Sequence, residues 1–104
     1  MDARKVKMRG KIKNTVAQIK VLMEHPMETG TRRDEAGDVI PAHFIQEVIC
    51  QHNDQVVLSV EWGTSISKNP YFAFKINDAN PGDVVKVSWT DNLGETSTGD
   101  ITLK

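Results

Sequence analysis

The sequence has a single cysteine, no long apolar run and almost no net charge. Because Cys50 is the only cysteine among 104 residues, the chain can form no internal disulfide, and this count says nothing about the redox state of its compartment. No stretch approaches the roughly 18 apolar residues of a transmembrane helix, so the sequence predicts no membrane span. The basic residues 1–11 lack the apolar core of a secretory signal, which by itself predicts a cytoplasmic protein.

The charge balance limits the possible partners, and the length limits the number of domains. Thirteen basic and 14 acidic residues give a formal net charge of -1, so the chain as a whole offers no field that would attract a phosphate backbone, and we predict no nucleic-acid partner. A chain of 104 residues suits one domain, and no linker or repeat divides it. We therefore predict a single domain, residues 1–104, that folds without metals or disulfides.

Most of the chain alternates apolar and polar residues with a period of two, which is typical of half-buried strands. Clusters of turn-forming residues separate these stretches. The predicted strands lie at residues 4–8, 15–23, 44–50, 56–62, 72–76, 85–89 and 95–104. About seven short strands predict an all-β fold, a single immunoglobulin-like β-sandwich, with Trp62 and Trp89 at its centre. Cys50 shares a strand face with Phe44 and Val48, which predicts a buried, inert thiol.

One connection, residues 24–42, is too long for a simple turn. It contains seven charged residues, two prolines and two glycines. A connection longer than about 12–15 residues in a compact domain is usually functional or has small structure of its own. We predict that turns at Gly30 and Gly37 make it an ordered, hairpin-like excursion from the sandwich.

Four short motifs in this order and spacing resemble the SoxZ family. The motifs are HPMETG at residues 25–30, RRD at 32–34, VIP at 39–41 and NPYFAF at 69–74. The first two together are the most specific, and the resemblance extends over nearly the whole chain.

The resemblance implies a non-catalytic, immunoglobulin-like subunit without a cofactor. Its expected partner is SoxY, which carries the sulfur intermediates of thiosulfate oxidation on a cysteine in a C-terminal Gly-Gly-Cys-Gly-Gly arm, and other sulfur-oxidation enzymes approach the complex. Residues 100–104 contain no such arm, so the carrier cysteine is expected on the partner. The family works in the periplasm and is thought to be exported with its partner, which would reverse the cytoplasmic prediction above.

The predicted partner-binding residues are Met27, Arg32 and Arg33 in the excursion, together with Tyr71. Met adapts to an apposed surface, whereas Arg and Tyr recur at the energetic centres of interfaces. Tyr71 should point outward because Phe72 and Phe74 fit the core. Two alternatives stay open for the arginines: they could hold an oxyanion such as a sulfonate, or pair with nearby carboxylates inside the loop. In the second case the partner contact would lie on a sheet face or edge near Tyr71.

A different hypothesis is a stand-alone β-sandwich that binds a metal or a small ligand through residues 25–34. His25 with Met23, Met27 and Glu28 offers soft ligands. Pro26 breaks the local backbone and no second histidine is close in sequence, so we predict no metal site. Neither a nucleophile elbow, a phosphate loop nor a Cys-x-x-Cys motif is present, and the remaining histidines have no acid or nucleophile at motif spacing, so we predict no enzymatic activity.

Overall fold

The computed structural model describes residues 6–104, which form seven strands. They are β1 (Val6–Lys13), β2 (Val16–Met23), β3 (Ile45–His52), β4 (Gln55–Glu61), β5 (Tyr71–Ile76), β6 (Val84–Asp91) and β7 (Thr96–Thr102). The predicted start of the first strand, at residues 4 and 5, lies outside the described residues. Within residues 6–104 there is no helix capable of crossing a membrane.

The strands form two antiparallel sheets, which confirms the predicted β-sandwich. One sheet has the order β1-β2-β5 and the other the order β4-β3-β6-β7. The chain passes from one sheet to the other after β2, after β4 and after β5, as in the Greek-key connections of immunoglobulin-like sandwiches. Strands β1 and β7 contact each other and close one side of the sandwich, whereas β4 and β5 are the outer strands on the opposite side.

Two glycines allow the close approach of β1 and β7. A Cβ atom at Gly10 would lie 2.6 Å from Ile101 Cδ1, and one at Gly99 would lie 2.7 Å from the carbonyl oxygen of Val6. Both distances are shorter than any van der Waals contact between these atoms. A side chain at Gly99 would therefore force the two strands apart, whereas one at Gly10 would displace the side-chain ends of Ile101 and Leu103.

The core is built from the inward faces of β2, β3 and β6. The alternation of β2 is strict, and its inward side chains are fully buried. Trp89 on β6 is buried at the centre as predicted, but Trp62 is only partly buried. Trp62 lies just beyond the end of β4, an outer strand, and packs edge-on against Phe72 with 5.9 Å between the ring centroids.

A β-bulge changes the phase at the start of β3. The pairing with β6 shifts between Ile45 and Glu47, so one extra residue is inserted on this strand. As a result Ile45 is fully buried, while Phe44 precedes the strand and is only partly buried. Val48 and Cys50 therefore share the buried face, as predicted. Phe44 does not, because the bulge puts Ile45 in its place.

The excursion at residues 24–42 is ordered and hairpin-like, as predicted. Isolated antiparallel bridges join Arg33 to Val39 and Glu28 to His43. Its tip is a tight turn in which Gly37 N donates to the carbonyl oxygen of Asp34 at 3.0 Å. Gly37 has a φ of 86°, a left-handed conformation that glycine adopts without steric cost.

Candidate functional site

A cluster of two histidines and an aspartate lies where the excursion meets the sandwich. His25 follows β2, His43 precedes β3 and Asp91 is the last residue of β6. Asp91 Oδ2 is 3.0 Å from His25 Nε2 and 2.7 Å from His43 Nε2. Both the His25 and the Asp91 side chains are fully buried. We call these three residues the His-Asp clasp, because they join both ends of the excursion to one strand of the sandwich.

The second oxygen of Asp91 is also fully used. Asp91 Oδ1 accepts hydrogen bonds from the backbone N–H groups of Leu93 at 3.0 Å and Glu95 at 2.9 Å. Burial raises the pKa of Asp91, but the hydrogen bonds from His25, Glu95, His43 and Leu93 outweigh it, so the pKa lies below its usual value of 3.8. The carboxylate is therefore ionised at neutral pH and acts only as an acceptor.

The position of the ring hydrogen on His25 decides whether the clasp can bind a metal. The backbone N–H of Met27 donates to His25 Nδ1 at 3.1 Å, so the ring hydrogen is on Nε2, which donates to Asp91. His43 Nε2 must donate as well, because the ionised carboxylate has no hydrogen to give. The Nε2 atoms of both rings thus hold a hydrogen directed at Asp91.

The same three residues have ligand atoms within 4.8 Å of one another, which raises the question of a metal site. Ligands around Zn²⁺ lie about 3.3 Å apart, given metal–ligand bonds of roughly 2.0 Å. The distances of 2.7 and 3.0 Å in the clasp are hydrogen-bond distances instead. A metal on His25 Nε2 would also place a hydrogen on Nδ1, against the N–H of Met27. We interpret the clasp as a hydrogen-bond network that holds the excursion.

Two asparagines extend this attachment. Asn92 Oδ1 accepts from Phe44 N at 2.8 Å and Asn92 Nδ2 donates to the carbonyl oxygen of Ala42 at 2.9 Å. Asn69 Oδ1 accepts from His25 N at 3.0 Å, and Asn69 N donates back to the His25 carbonyl oxygen at 3.0 Å. These bonds bring the segment before β5 against the start of the excursion.

The predicted partner-binding residues are placed in three different environments. Met27 is only 5% exposed, packs in the core and accepts a hydrogen bond from Ile45 N on its sulfur at 3.3 Å, so it braces the excursion from inside. Arg32 pairs with Glu28 through both carboxylate oxygens, and its hydrogen bond lowers the pKa of Glu28. Arg33 donates to the carbonyl oxygen of Gly37 at 2.7 Å.

Arg32 therefore pairs with a carboxylate inside the loop, as one of the two alternatives predicted, whereas Arg33 binds a carbonyl group of the same loop. Tyr71 is 61% exposed at the start of β5. That these residues bind a partner stays a prediction, and Arg32, Arg33 and Tyr71 are the ones whose side chains reach the surface.

Tyr71 borders an apolar surface that the sequence did not predict. Phe72 contacts Trp62 edge-on and stacks on Phe74 with 5.8 Å between the ring centroids. All three aromatic side chains are only partly buried, because they lie along the open side between β4 and β5. We call Trp62, Phe72 and Phe74, together with Tyr71 on the opposite face of β5 beside Leu22, the aromatic edge.

Cys50 is fully buried on β3, and burial raises the pKa of its thiol to about 11. Since the thiolate is the reactive form, we expect almost no alkylation of the native protein by iodoacetamide at neutral pH and complete alkylation in denaturant. Intact mass after timed labelling measures this. Labelling of the native protein as fast as that of the unfolded protein, or a persistent sulfur adduct on this chain, would contradict the expectation.

Sequence reasoning missed His43 and Asp91 as members of one cluster. They are 48 positions apart, and neither has a suggestive neighbour at motif spacing. The one available signal is that Asp91 ends an alternating strand and begins a turn, a position where carboxylates often accept backbone hydrogen bonds.

Comparison with known proteins agrees with the fold and with the sequence motifs. The family model of the sulphur oxidation protein SoxZ matches residues 5–102. A search of curated proteins finds no match for the chain. Because the family match spans nearly all of its 104 residues, the chain belongs to the SoxZ family, the subunits of that name in the Sox sulfur-oxidation system.

Proposed function

We propose that this chain binds and stabilises a SoxY-type carrier protein as a heterodimer. The carrier holds the sulfur intermediates of thiosulfate oxidation on its own C-terminal cysteine, and the chain described here contributes the rigid surface from which that arm is presented to other sulfur-oxidation enzymes. The observation that carries the proposal is the family match over residues 5–102. Work in the periplasm, after export together with the partner, is part of the same proposal.

The aromatic edge supports a tight protein interface. Cores of stable interfaces are enriched in aromatic residues and depleted of charge. Trp62, Phe72 and Phe74 expose part of their rings on the open side of the sandwich, beside the exposed Tyr71. The Asn69 and His25 hydrogen bonds place the excursion next to this surface. We therefore propose that the carrier covers the aromatic edge and contacts the excursion through Arg32 and Arg33.

Co-expression with a carrier that ends in Gly-Gly-Cys-Gly-Gly tests the proposal. We expect the two chains to co-elute as a one-to-one complex, and the melting temperature of this chain to rise when the carrier is added, because a ligand that binds only the folded state stabilises it. The chain alone should self-associate through its exposed apolar surface, which analytical ultracentrifugation measures.

A stable monomer whose melting temperature does not change with the carrier would contradict the proposal. Titration with Zn²⁺ examines the alternative of a metal-binding module. A rise in melting temperature with Zn²⁺ that is lost in His43→Gln would favour that alternative instead.

A further inference from the structure

The outward face of the three-stranded sheet is strongly basic. Register places its outward side chains in rows across the strands, with Lys7 beside Leu22, Arg9 beside Lys20, and Lys11 beside Gln18. Strand β5 adds Lys75 next to Gln18. The cations that share this face are Lys7, Arg9, Lys11, Lys13, Lys20 and Lys75, which we call the basic face.

Acidic side chains of the same chain neutralise little of the charge on the basic face. None of the 14 acidic residues occupies an outward position on these three strands. Among residues 6–104, its only ion pair joins Lys7 to Glu24 at 3.2 Å, at the end nearest the excursion. Arg9 lies directly opposite Lys20, a pairing of like charges that destabilises a sheet. An acidic partner would relieve this repulsion.

The charge distribution of the whole chain increases the contrast between the basic face and the remaining surface. The formal net charge is -1, so six cations on one face leave an excess of acidic residues over the rest of the molecule. The protein therefore has a strong charge asymmetry that its net charge conceals. Such asymmetry steers association with an oppositely charged surface and orients it at the same time.

We propose that the basic face is a docking site for an acidic protein surface that binds transiently. Strands of eight residues and the spacing of three strands give a face about 27 Å long and roughly 14 Å wide, or roughly 400 Å². This is about half of what each partner buries in a stable interface. Lysine is depleted in the centres of tight interfaces and enriches their solvated parts. Size and composition thus both indicate rapid, salt-sensitive docking, on a face that adjoins Tyr71 at the end of its Lys7 and Leu22 row.

The chemistry favours carboxylates of a protein over a nucleic acid or a membrane. Five of the six cations are lysines, which act as point charges and set no requirement for bidentate geometry. A depression of about 400 Å³ lies among Lys11, Lys13, Val16, Gln18 and Lys75, with apolar as well as charged walls, and it suits the methylene stem and carboxylate of an acidic side chain. A longer polyanion would extend beyond the face and meet the acidic remainder of the chain.

The test uses the full chain labelled with ¹⁵N and, as the probe, a short poly-L-glutamate peptide no longer than strand β1. At low ionic strength we expect amide shifts confined to β1, β2 and β5, which disappear at about 300 mM salt because exposed charges are then screened. The variant Lys11→Glu with Lys20→Glu should weaken binding at least tenfold. It should fold normally, since reversal of Lys20 removes the repulsion from Arg9.

The matched control is Lys68→Glu with Lys104→Glu, which changes the net charge equally but leaves the basic face intact. This control should bind poly-L-glutamate as the unaltered chain does. Equal loss in both double variants, or shifts spread over both sheets, would overturn the proposal. It would also be overturned if a single-stranded oligothymidylate or phosphatidylglycerol vesicles bound at about 150 mM salt when poly-L-glutamate did not, because the partner would then be a nucleic acid or a membrane.

Discussion

Replacement of Asp91 by asparagine is expected to lower the free energy of unfolding by about 3–5 kcal/mol, because it breaks a buried network in which every other member stays in place. Asp91 accepts from two histidines on Oδ2 and from two backbone N–H groups on Oδ1. An amide has one oxygen and one donor nitrogen. In one orientation its N–H groups face the backbone donors of Leu93 and Glu95, and in the other they face Nε2–H of His25, whose tautomer Met27 N fixes, so the side chain cannot satisfy both sides. Urea denaturation at pH 7 measures the loss.

Two further variants show whether the loss of stability is specific to the clasp or would follow from any similar substitution. Asp100→Asn makes the same chemical change at an exposed position of β7 and should have almost no effect on stability. His43→Gln keeps a donor near Asp91 and should cost less than Asp91→Asn. If Asp91→Asn and Asp100→Asn unfold at the same urea concentration, the clasp does not hold the excursion.

The dependence on pH gives an independent readout of the clasp. Because the folded state lowers the pKa of Asp91, the stabilisation is complete above the ordinary value of 3.8 and is lost as the pH falls through the lower, folded value. The unaltered chain should therefore lose stability below about pH 4. Asp91→Asn has already lost this contribution, so the stability difference between the two proteins should shrink in acid.

The second large effect is expected on the carrier complex. Tyr71→Ala should weaken it roughly 30-fold, as truncation of a central interface tyrosine commonly does. Tyr71 is exposed in this chain and supports no part of the buried core, so its loss should leave the stability of the free chain nearly unchanged. Titration calorimetry with the carrier, together with the melting temperature of each free variant, separates binding from folding.

Arg32→Glu with Arg33→Glu examines the excursion in the same assay. We expect this charge reversal to weaken the complex at least tenfold, because it removes two surface cations and places like charges beside Glu28. The control for Tyr71→Ala is Val56→Ala, which also removes an exposed apolar side chain but lies at the opposite end of β4 from Trp62. An unchanged dissociation constant for the arginine variant, with the fold intact, would restrict the contact to the aromatic edge.

The family itself was recognisable from the sequence. The motifs at residues 25–30 and 32–34 are contiguous, so no folding is needed to bring their residues together. The sequence did not show the roles of these residues equally well. Met27 was predicted as a partner contact because methionine adapts to an apposed surface, but its side chain packs in the core, where its backbone has a φ of 48°.

By itself, the sequence determined the sandwich and the positions of its strands along the chain, because alternation with a period of two is a local property that each strand shows without its neighbours. The cations of β1 also alternate in the sequence, at Lys7, Arg9, Lys11 and Lys13, although no basic face was predicted from them. Only the tertiary structure decided that Lys20 and Lys75 join this row, that Trp89 rather than Trp62 is central, and that Asp91 meets two histidines. The physical reason is common to all three: they depend on strand pairing, on a bulge or on the packing of segments far apart in the chain, which no local pattern specifies.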